Sequence, residues 1–261
     1  MNNFLAEFAS LMWGPWLLFL LLGTGCWLTI CLKGIQVRQL FYSLRLTFSK
    51  ERGGEGDISH FGALSTALAA TVGTGNIAGV SAAVALGGPG AIFWMWVTGL
   101  VGMATKYCEG FLAVKYRQVN LSGEISGGPM YYLEKGLGQK WLGVSFAFFG
   151  AMAAFGIGNM VQANTTVLAL KGSFGVSSFF VGGVMMLLTG MVIIGGIKRI
   201  AEVASYLVPF MVLVYFLGAL IVVLNNLDGL GAGIKMIMED AFTGTAATGG
   251  FAGASLASTI R

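Results

Sequence analysis

The chain has 261 residues, of which 56% are hydrophobic and only 10% are charged, and its mean hydropathy is +0.80. Soluble domains carry about 25% charged residues, so this composition excludes a soluble globular protein and indicates an integral membrane protein. The net charge of +4 does not indicate nucleic-acid binding, because the basic residues flank apolar segments and form no patch with interleaved aromatic residues.

Charge-free windows predict the membrane spans. They cover residues 8–32, 61–105, 141–170, 172–197, 203–227 and 241–260. A spanning helix needs about 20 apolar residues, so the window 61–105 must hold two spans, which meet at the turn GGPG (87–90). We therefore predict a single all-α transmembrane domain over residues 1–261, with seven helices at about 9–32, 61–86, 90–113, 142–169, 174–197, 203–224 and 241–260.

The segments outside the spans carry further signals. Glu7 stands where a signal peptide would carry basic residues, and the apolar run after it is too long for one, so we expect the first span to be retained. Residues 35–48 are amphipathic and are expected to lie on the inner membrane surface. SGGPMYYLEKGLG (126–138) predicts a turn and a short interfacial helix, and residues 225–240 are expected to form an outer loop.

Lysine and arginine predict the orientation. With the N-terminus outside, 13 of the 15 basic residues fall in inner segments, and only Lys171 and Lys235 face out. This bias matches the positive-inside rule. Most tryptophans fall near span ends, where an interfacial position is expected.

The stretch TALAATVGTGNIAGV (66–80) places three glycines and an amide in the middle of the second span. A similar stretch occurs in the seventh span: TVGTGNIAGVSAA (71–83) and TAATGGFAGASLA (245–257) share seven of thirteen positions. The two spans have opposite predicted directions, and a repeated glycine-interrupted motif of this kind is typical of inverted-repeat transporters with two broken helices. Unwound backbone would then expose carbonyls that suit Na⁺ and N–H groups that suit a carboxylate.

Other interpretations of these residues are weaker. GTGNIAG (73–79) resembles a dinucleotide fingerprint, but no strand precedes it and the next acidic residue is Glu109. Gly75 and Gly79 also form a GxxxG pair, which favours helix packing and is compatible with a ligand site. In the fourth span, Asn159 and Gln162 lie three residues apart and are expected to share one helix face. Together with Asn164 they either bond between helices or form a polar wall of a substrate cavity.

Neutral polar groups dominate the predicted spans. No acidic residue lies well inside any of them, which favours a metal cation and a zwitterion over proton coupling. Lys106 and Glu109 are spaced for an interfacial ion pair. His60 is the single histidine, the three cysteines match no metal site, and no G-x-S-x-G or H-E-x-x-H motif occurs, so no enzyme chemistry and no cofactor are expected.

Five segments together carry a family resemblance: TALAATVGTGNIAG, ALGGPGAIFWMWVTGLVGMATKYCE, SGGPMYYLEKG, GNMVQANT and TGTAATGGFAGA. They resemble the alanine or glycine:cation symporter family over essentially the whole chain. The resemblance implies a leucine-transporter-type inverted-repeat fold with one extra N-terminal helix. It also implies Na⁺-driven uptake of alanine or glycine across the cytoplasmic membrane of a bacterium or archaeon, in contact with lipid and without a required oligomer.

The resemblance also implies a set of site residues. The substrate would contact Thr71, Gly73, Thr74, Gly75, Asn76, Gln162, Thr248, Gly249, Gly250 and Phe251. Na⁺ would be bound by the carbonyls of Ala69 and Val72, and the Thr71 carbonyl with the Asn76 amide would serve a second ion if one exists.

Members of this family are similar to an eleven-helix protein, and seven helices are predicted here. We therefore expect a truncated chain with an incomplete second repeat. A passive channel or pore subunit, a membrane-embedded enzyme and an inactive fragment of a symporter are the alternatives to a symporter.

Overall fold

Apolar, charge-poor segments fold as α-helices in the computed structural model, which describes residues 7–8, 11–12, 14–49, 58–119, 125–156, 158–243 and 246. In chain order the helices are α1 (Pro15–Cys31), α2 (Ile35–Arg38), α3 (Leu40–Thr47), α4 (His60–Thr71), α5 (Val80–Gly87), α6 (Ala91–Lys115), α7 (Pro129–Lys135), α8 (Lys140–Gly156), α9 (Met160–Phe174), α10 (Ser178–Ile193), α11 (Gly196–Leu224) and α12 (Leu227–Asp240). A π turn (Gly75–Gly79) precedes α5, and the short strands β1 (Gln118–Val119) and β2 (Ile125–Ser126) pair antiparallel.

The chain divides into two compact units. The first unit contains Met1–Ser43, Gly75–Glu109 and Ala219–Arg261, and the second contains Leu44–Thr74 and Gly110–Gly218. The boundary between Thr74 and Gly75 therefore falls inside the second predicted span.

Within the part of the chain that the structure describes, two helical stretches are long and apolar enough to cross a membrane. They are Lys140–Phe174 and Gly196–Leu224, and His60–Thr71 with Gly75–Gly87 makes a third if that broken pair counts as one span. Phe19–Cys31 and Ser178–Ile193 are shorter apolar helices.

In the second unit, α4 and α11 approach each other closely at Gly62, where the neighbouring side chains are small. Gly62 and Ser65 are buried on α4, and Ala201, Ala204 and Val208 are buried on α11. A Cβ at Gly62 would lie 3.8 Å from the Ala201 Cβ, so glycine permits this close approach. Such packing is how helices associate where both solvent and core are apolar.

In the first unit, α1 packs against α6 at another glycine. A Cβ at Gly25 would collide with the Val101 side chain and would lie 3.1 Å from the Val101 carbonyl oxygen. The Thr29 hydroxyl bonds the Gly25 carbonyl at 2.7 Å, which satisfies this acceptor inside the helix.

Several predicted boundaries were wrong. Residues 225–240 were expected to be a loop but form α12, because apolar residues recur at helical spacing at Leu227, Leu230 and Ile234. The predicted span 142–169 is interrupted between α8 and α9, where Gly158 and Asn159 are not helical. The sixth helix, predicted from residue 203, begins earlier, at Gly196. Gly196 has a φ of +68°, a conformation that glycine adopts easily, and it ends the turn after α10.

Other predictions agree with the structure. Residues 35–38 and 40–47 are helical, and a seven-residue helix follows the turn at Gly128. Lys106 and Glu109 form an exposed ion pair with an Nζ–Oε2 distance of 2.6 Å. The predicted seventh span at 241–260 lies outside the described residues apart from 241–243 and 246.

Candidate functional site

The second predicted span is interrupted at Val72, Gly73 and Thr74. Helix α4 ends at Thr71, and Val72 turns to an extended conformation with φ −87° and ψ 93°. The Val72 N–H still bonds the Leu68 carbonyl at 2.7 Å. The carbonyls that follow, from Ala69 to Thr71, lie at a helix end, where a helix leaves its last acceptors without internal partners.

Gln162 of α9 accepts hydrogen bonds from both donors of Thr74. Its Oε1 accepts from the Thr74 backbone N–H at 3.1 Å and from the Thr74 hydroxyl at 2.5 Å. Both residues are half-buried and belong to the second unit. In a continuous helix the Thr74 N–H would bond the Ala70 carbonyl, so the glutamine replaces an internal helix bond with a bond between helices.

Gly73 leaves room for this contact. A Cβ at Gly73 would lie 3.0 Å from Gln162 Nε2 and 3.2 Å from its Oε1. A Cβ at position 73 would therefore force the Gln162 amide to shift by a few tenths of an ångström. Thr71 and Ala69 are exposed, and the Thr71 hydroxyl bonds back to the Ala67 carbonyl at 2.8 Å.

After the break, the chain enters the first unit again through a π turn from Gly75 to Gly79. A π turn widens the helix by one residue and is common at functional sites. Asn76 lies in this turn and is exposed. The Ser81 hydroxyl donates to the Ile77 carbonyl at 2.9 Å. This side-chain bond supports the Ile77 carbonyl where the π turn passes into α5.

The structure thus brings together Gly73, Thr74 and Gln162 from the predicted site. Gly75 and Asn76 lie in the other unit, and Thr248, Gly249, Gly250 and Phe251 lie outside the described residues. The sequence suggested Thr74 and Gln162 separately, but it carried no signal that pairs them across 88 positions.

The neighbouring amides of the fourth span do not follow the expected pattern. Asn159 precedes α9 with φ −129° and ψ −44°, so it does not share a continuous helix face with Gln162. Asn164 lies on α9 and is exposed. Gln162 is therefore the amide of this segment that reaches the break, and the prediction of one shared polar face was wrong.

A model of the sodium:alanine symporter family matches residues 1–261. The chain belongs to the sodium:alanine symporter family. This is a family of transporters and not of enzymes, and the family together with the apolar helices identifies a multi-pass membrane protein.

Similar proteins of the sodium:alanine symporter family come from archaea and bacteria. A sodium/alanine symporter AgcS of Methanococcus maripaludis is 53% identical over 253 residues, which are 95% of this chain and 56% of the relative. A putative sodium/proton-dependent alanine carrier protein YrbD of Bacillus subtilis is 41% identical over 256 residues, 98% of this chain and 52% of the relative. A probable sodium/glutamine symporter GlnT of Bacillus subtilis is 38% identical over 253 residues, 97% of this chain and 53% of the relative. The chain spans about half the length of these curated relatives.

Proposed function

We propose that this chain provides the substrate and ion site of a symporter that couples Na⁺ to the uptake of alanine or glycine by alternating access. The observation that carries the proposal is the break after Thr71, which Gln162 supports through Thr74. A helix that opens at mid-span costs backbone hydrogen bonds, and a protein tolerates this in a bilayer only where the opened backbone lines a cavity or is buried.

Each side of the break has a role in this proposal. The carbonyls of Ala69, Thr71 and Val72 would bind Na⁺, because hard cations prefer oxygen ligands, and Asn76 would add an amide oxygen. Gly73 and Gly75 would offer N–H groups to the substrate carboxylate, as helix N-termini do for anions, and Thr74, whose N–H bonds Gln162, would line the same site. The Gln162 Oε1 atom accepts from Thr74, which leaves the Nε2 group of Gln162 as a donor. We propose that this group donates to the same substrate carboxylate.

The remaining assignments follow from the family. Thr248, Gly249, Gly250 and Phe251 would close the pocket from the seventh span, and the fold would be the leucine-transporter type with inverted repeats. The N-terminus would lie outside the cytoplasmic membrane, as the distribution of basic residues favours. The relatives' names include alanine and glutamine, and we propose alanine or glycine for this chain because its family is described as that of sodium:alanine symporters.

Sodium is the proposed coupling ion. The described residues of the break carry hydroxyl, amide and carbonyl groups and no carboxylate or imidazole. A proton would need such a titratable group, whereas Na⁺ needs only neutral oxygens. A bound Na⁺ and a zwitterionic amino acid also attract each other, which is the physical origin of coupling.

The test is uptake of radiolabelled alanine into proteoliposomes containing the full-length protein. An inward Na⁺ gradient should drive accumulation above the external concentration, and K⁺ in place of Na⁺ should abolish it. Uptake that only equilibrates, with or without Na⁺, would instead support the passive channel. Accumulation driven by a proton gradient at equal Na⁺ on both sides would refute Na⁺ coupling.

A further inference from the structure

The end of α12 and the start of α6 cap each other. The Asp240 carboxylate accepts a hydrogen bond from the Gly90 N–H at 2.9 Å, and the Trp94 indole Nε1–H donates to the Ala241 carbonyl at 2.5 Å. All four residues belong to the first unit. We call these two bonds the paired cap.

Each bond of the paired cap satisfies a group that a helix end leaves unpaired. Gly90 directly precedes α6, where N–H groups lack internal acceptors and the helix dipole favours a negative charge. Ala241 directly follows α12, where carbonyls lack internal donors. A carboxylate on a backbone N–H is among the stronger hydrogen bonds in proteins.

The turn GGPG is shaped for the paired cap. Gly88 has a φ of +73°, and a Cβ there would collide with the Asp240 carboxylate. A Cβ at Gly90 would lie 2.5 Å from the Asp240 carbonyl carbon and the Ala241 nitrogen. Glycine is therefore needed at position 88 for backbone conformation and space, and at position 90 for space.

Aromatic packing closes the same contact. The Phe242 ring lies 5.6 Å from the Phe93 ring and 6.5 Å from the Trp94 ring, measured between centroids. Ala91 and Ala241 are fully buried. Such ring pairs stabilise a contact beyond the area they bury, so this contact is more than a single surface hydrogen bond.

We propose that Asp240 is a positioning residue for substrate binding, acting through the paired cap and α5. This proposal rests on the proposed function. The π turn and α5 form one helical rod from the break to the GGPG turn, about 18 Å long at 1.5 Å per residue. The paired cap holds the far end of this rod, so it fixes the direction of the N–H groups at the start of the rod, from Gly75 onward.

The experiment compares three variants of the paired cap in the full-length protein, Asp240→Ala, Asp240→Asn and Trp94→Phe, with two controls, Asp228→Ala and Trp96→Phe. Asp228 is an exposed carboxylate in the first turn of the same helix. Asp240→Ala should raise the KM for alanine about five- to tenfold with Vmax within about twofold. This is less than the roughly ten- to hundredfold loss of a hydrogen bond made directly to a charged group, because Asp240 acts on the substrate only through the helix. Asp240→Asn keeps an acceptor oxygen and should restore most of the affinity, and Asp228→Ala should match wild type.

Trp94→Phe tests the second bond of the paired cap. It removes the indole N–H but keeps a ring against Phe242, so it should raise KM in the same direction by a smaller factor. Trp96→Phe is its control, because Trp96 lies two residues away on the same helix and is 58% exposed. Equal effects of the two tryptophan variants would contradict a specific role for the Trp94 donor.

Hydrogen exchange of residues 88–94 measures the paired cap without transport. Asp240→Ala should speed exchange in this segment and Asp228→Ala should not. Faster exchange with an unchanged KM would refute the positioning role, as would a fall in Vmax at constant KM. Unchanged exchange would refute the contact itself. A wild-type protein that shows no Na⁺-dependent uptake would refute the proposed function, and the positioning role with it, while the exchange data would still report on the contact.

Discussion

One oxygen of Gln162 accepts hydrogen bonds from two donors of Thr74, the backbone N–H and the hydroxyl. A substitution can remove the second bond and leave the first. The backbone N–H can find an alternative partner in water or a ligand, whereas the Thr74 hydroxyl contributes only through its side chain. Removing the hydroxyl therefore tests the support of the break without disturbing the backbone.

We expect Thr74→Val to raise the KM for alanine about two- to tenfold, because a neutral hydrogen bond contributes about 0.5–1.5 kcal/mol. Valine keeps the shape of threonine, so the loss is confined to the hydroxyl. Thr165→Val is the matched control: Thr165 lies on α9 near Gln162, but its hydroxyl bonds only the Val161 carbonyl in its own helix. Equal KM values for the two variants would argue against a supporting role for Gln162.

Asn76 provides the second prediction at this scale. If its amide binds Na⁺ or orients the π turn, Asn76→Ala removes an oxygen worth about 1.5–3 kcal/mol to a charged partner. The Na⁺ concentration for half-maximal alanine uptake should then rise roughly ten- to a hundredfold, with a smaller change in alanine affinity at saturating Na⁺. Asn225→Ala, an exposed amide between α11 and α12, should leave the Na⁺ dependence unchanged. A normal Na⁺ dependence in Asn76→Ala would leave Asn76 as a packing residue.

At the residue scale, sequence patterns located the break but not its support. Three glycines and an amide in an apolar span identify a weak point in a helix, because glycine and polar groups are unfavourable there. The pairing of Thr74 with Gln162, or of Gly90 with Asp240, joins positions 88 and 150 residues apart. No local periodicity carries such information, since it depends on how helices pack in three dimensions.

At the scale of single elements, α12 shows that charged residues and glycines can hide a helix in the sequence. Helix α12 contains Gly229, Gly231 and Gly233 and four charged residues, which together predict a loop. Its apolar residues nevertheless recur every three or four positions, and Lys235 with Glu239 forms an exposed i,i+4 pair with an N–O distance of 3.6 Å. The amphipathic period was the better signal, and the composition concealed it.

The start of α4 allows a prediction about stability. The Ser59 side chain accepts a hydrogen bond from the Gly62 N–H at 3.1 Å and caps the helix that leads to the break. Ser59→Ala should lower the free energy of unfolding by about 1 kcal/mol, a loss typical of an N-cap serine. In detergent this would lower the Tm by about 2–4 °C.

Ser177 offers a matched control for Ser59. It holds the N-cap position of α10 but makes no side-chain capping bond there. Ser177→Ala should therefore leave the Tm unchanged, measured by the same fluorescence-detected melting. A similar shift in both variants would show that the effect reflects serine at a helix start in general rather than the bond to Gly62.

At the scale of the whole molecule, the division into two units places the break at a boundary. Thr74 ends a segment of one unit and Gly75 begins a segment of the other. The sequence predicted a broken helix, and the structure adds that the chain changes unit at the same residue pair.

Helix lengths raise a question about topology that the seven-span prediction did not anticipate. Helices α8 and α9 together run over 35 residues, Lys140–Phe174, which is about 52 Å of helix against a hydrocarbon core of about 30 Å. Two short crossings or one long span interrupted near Gly158 would both fit this length. Together with α10 and α11, two short crossings give an even number of crossings between α7 and α12. One long span gives an odd number.

Thiol labelling distinguishes these cases. In a background without Cys26, Cys31 and Cys108, single cysteines are placed at the exposed positions Lys135 and Asp228. The seven-span prediction has three crossings between them, and the positive-inside bias puts Lys135 in the cytoplasm and Asp228 outside. A membrane-impermeant maleimide should therefore label Asp228→Cys in intact cells and Lys135→Cys only after permeabilisation. Labelling of both in intact cells would require an even number of crossings, and α8 and α9 would then be separate spans. The reverse pattern would keep the three crossings but invert the molecule, and the inverted-repeat assignment would survive with the N-terminus inside.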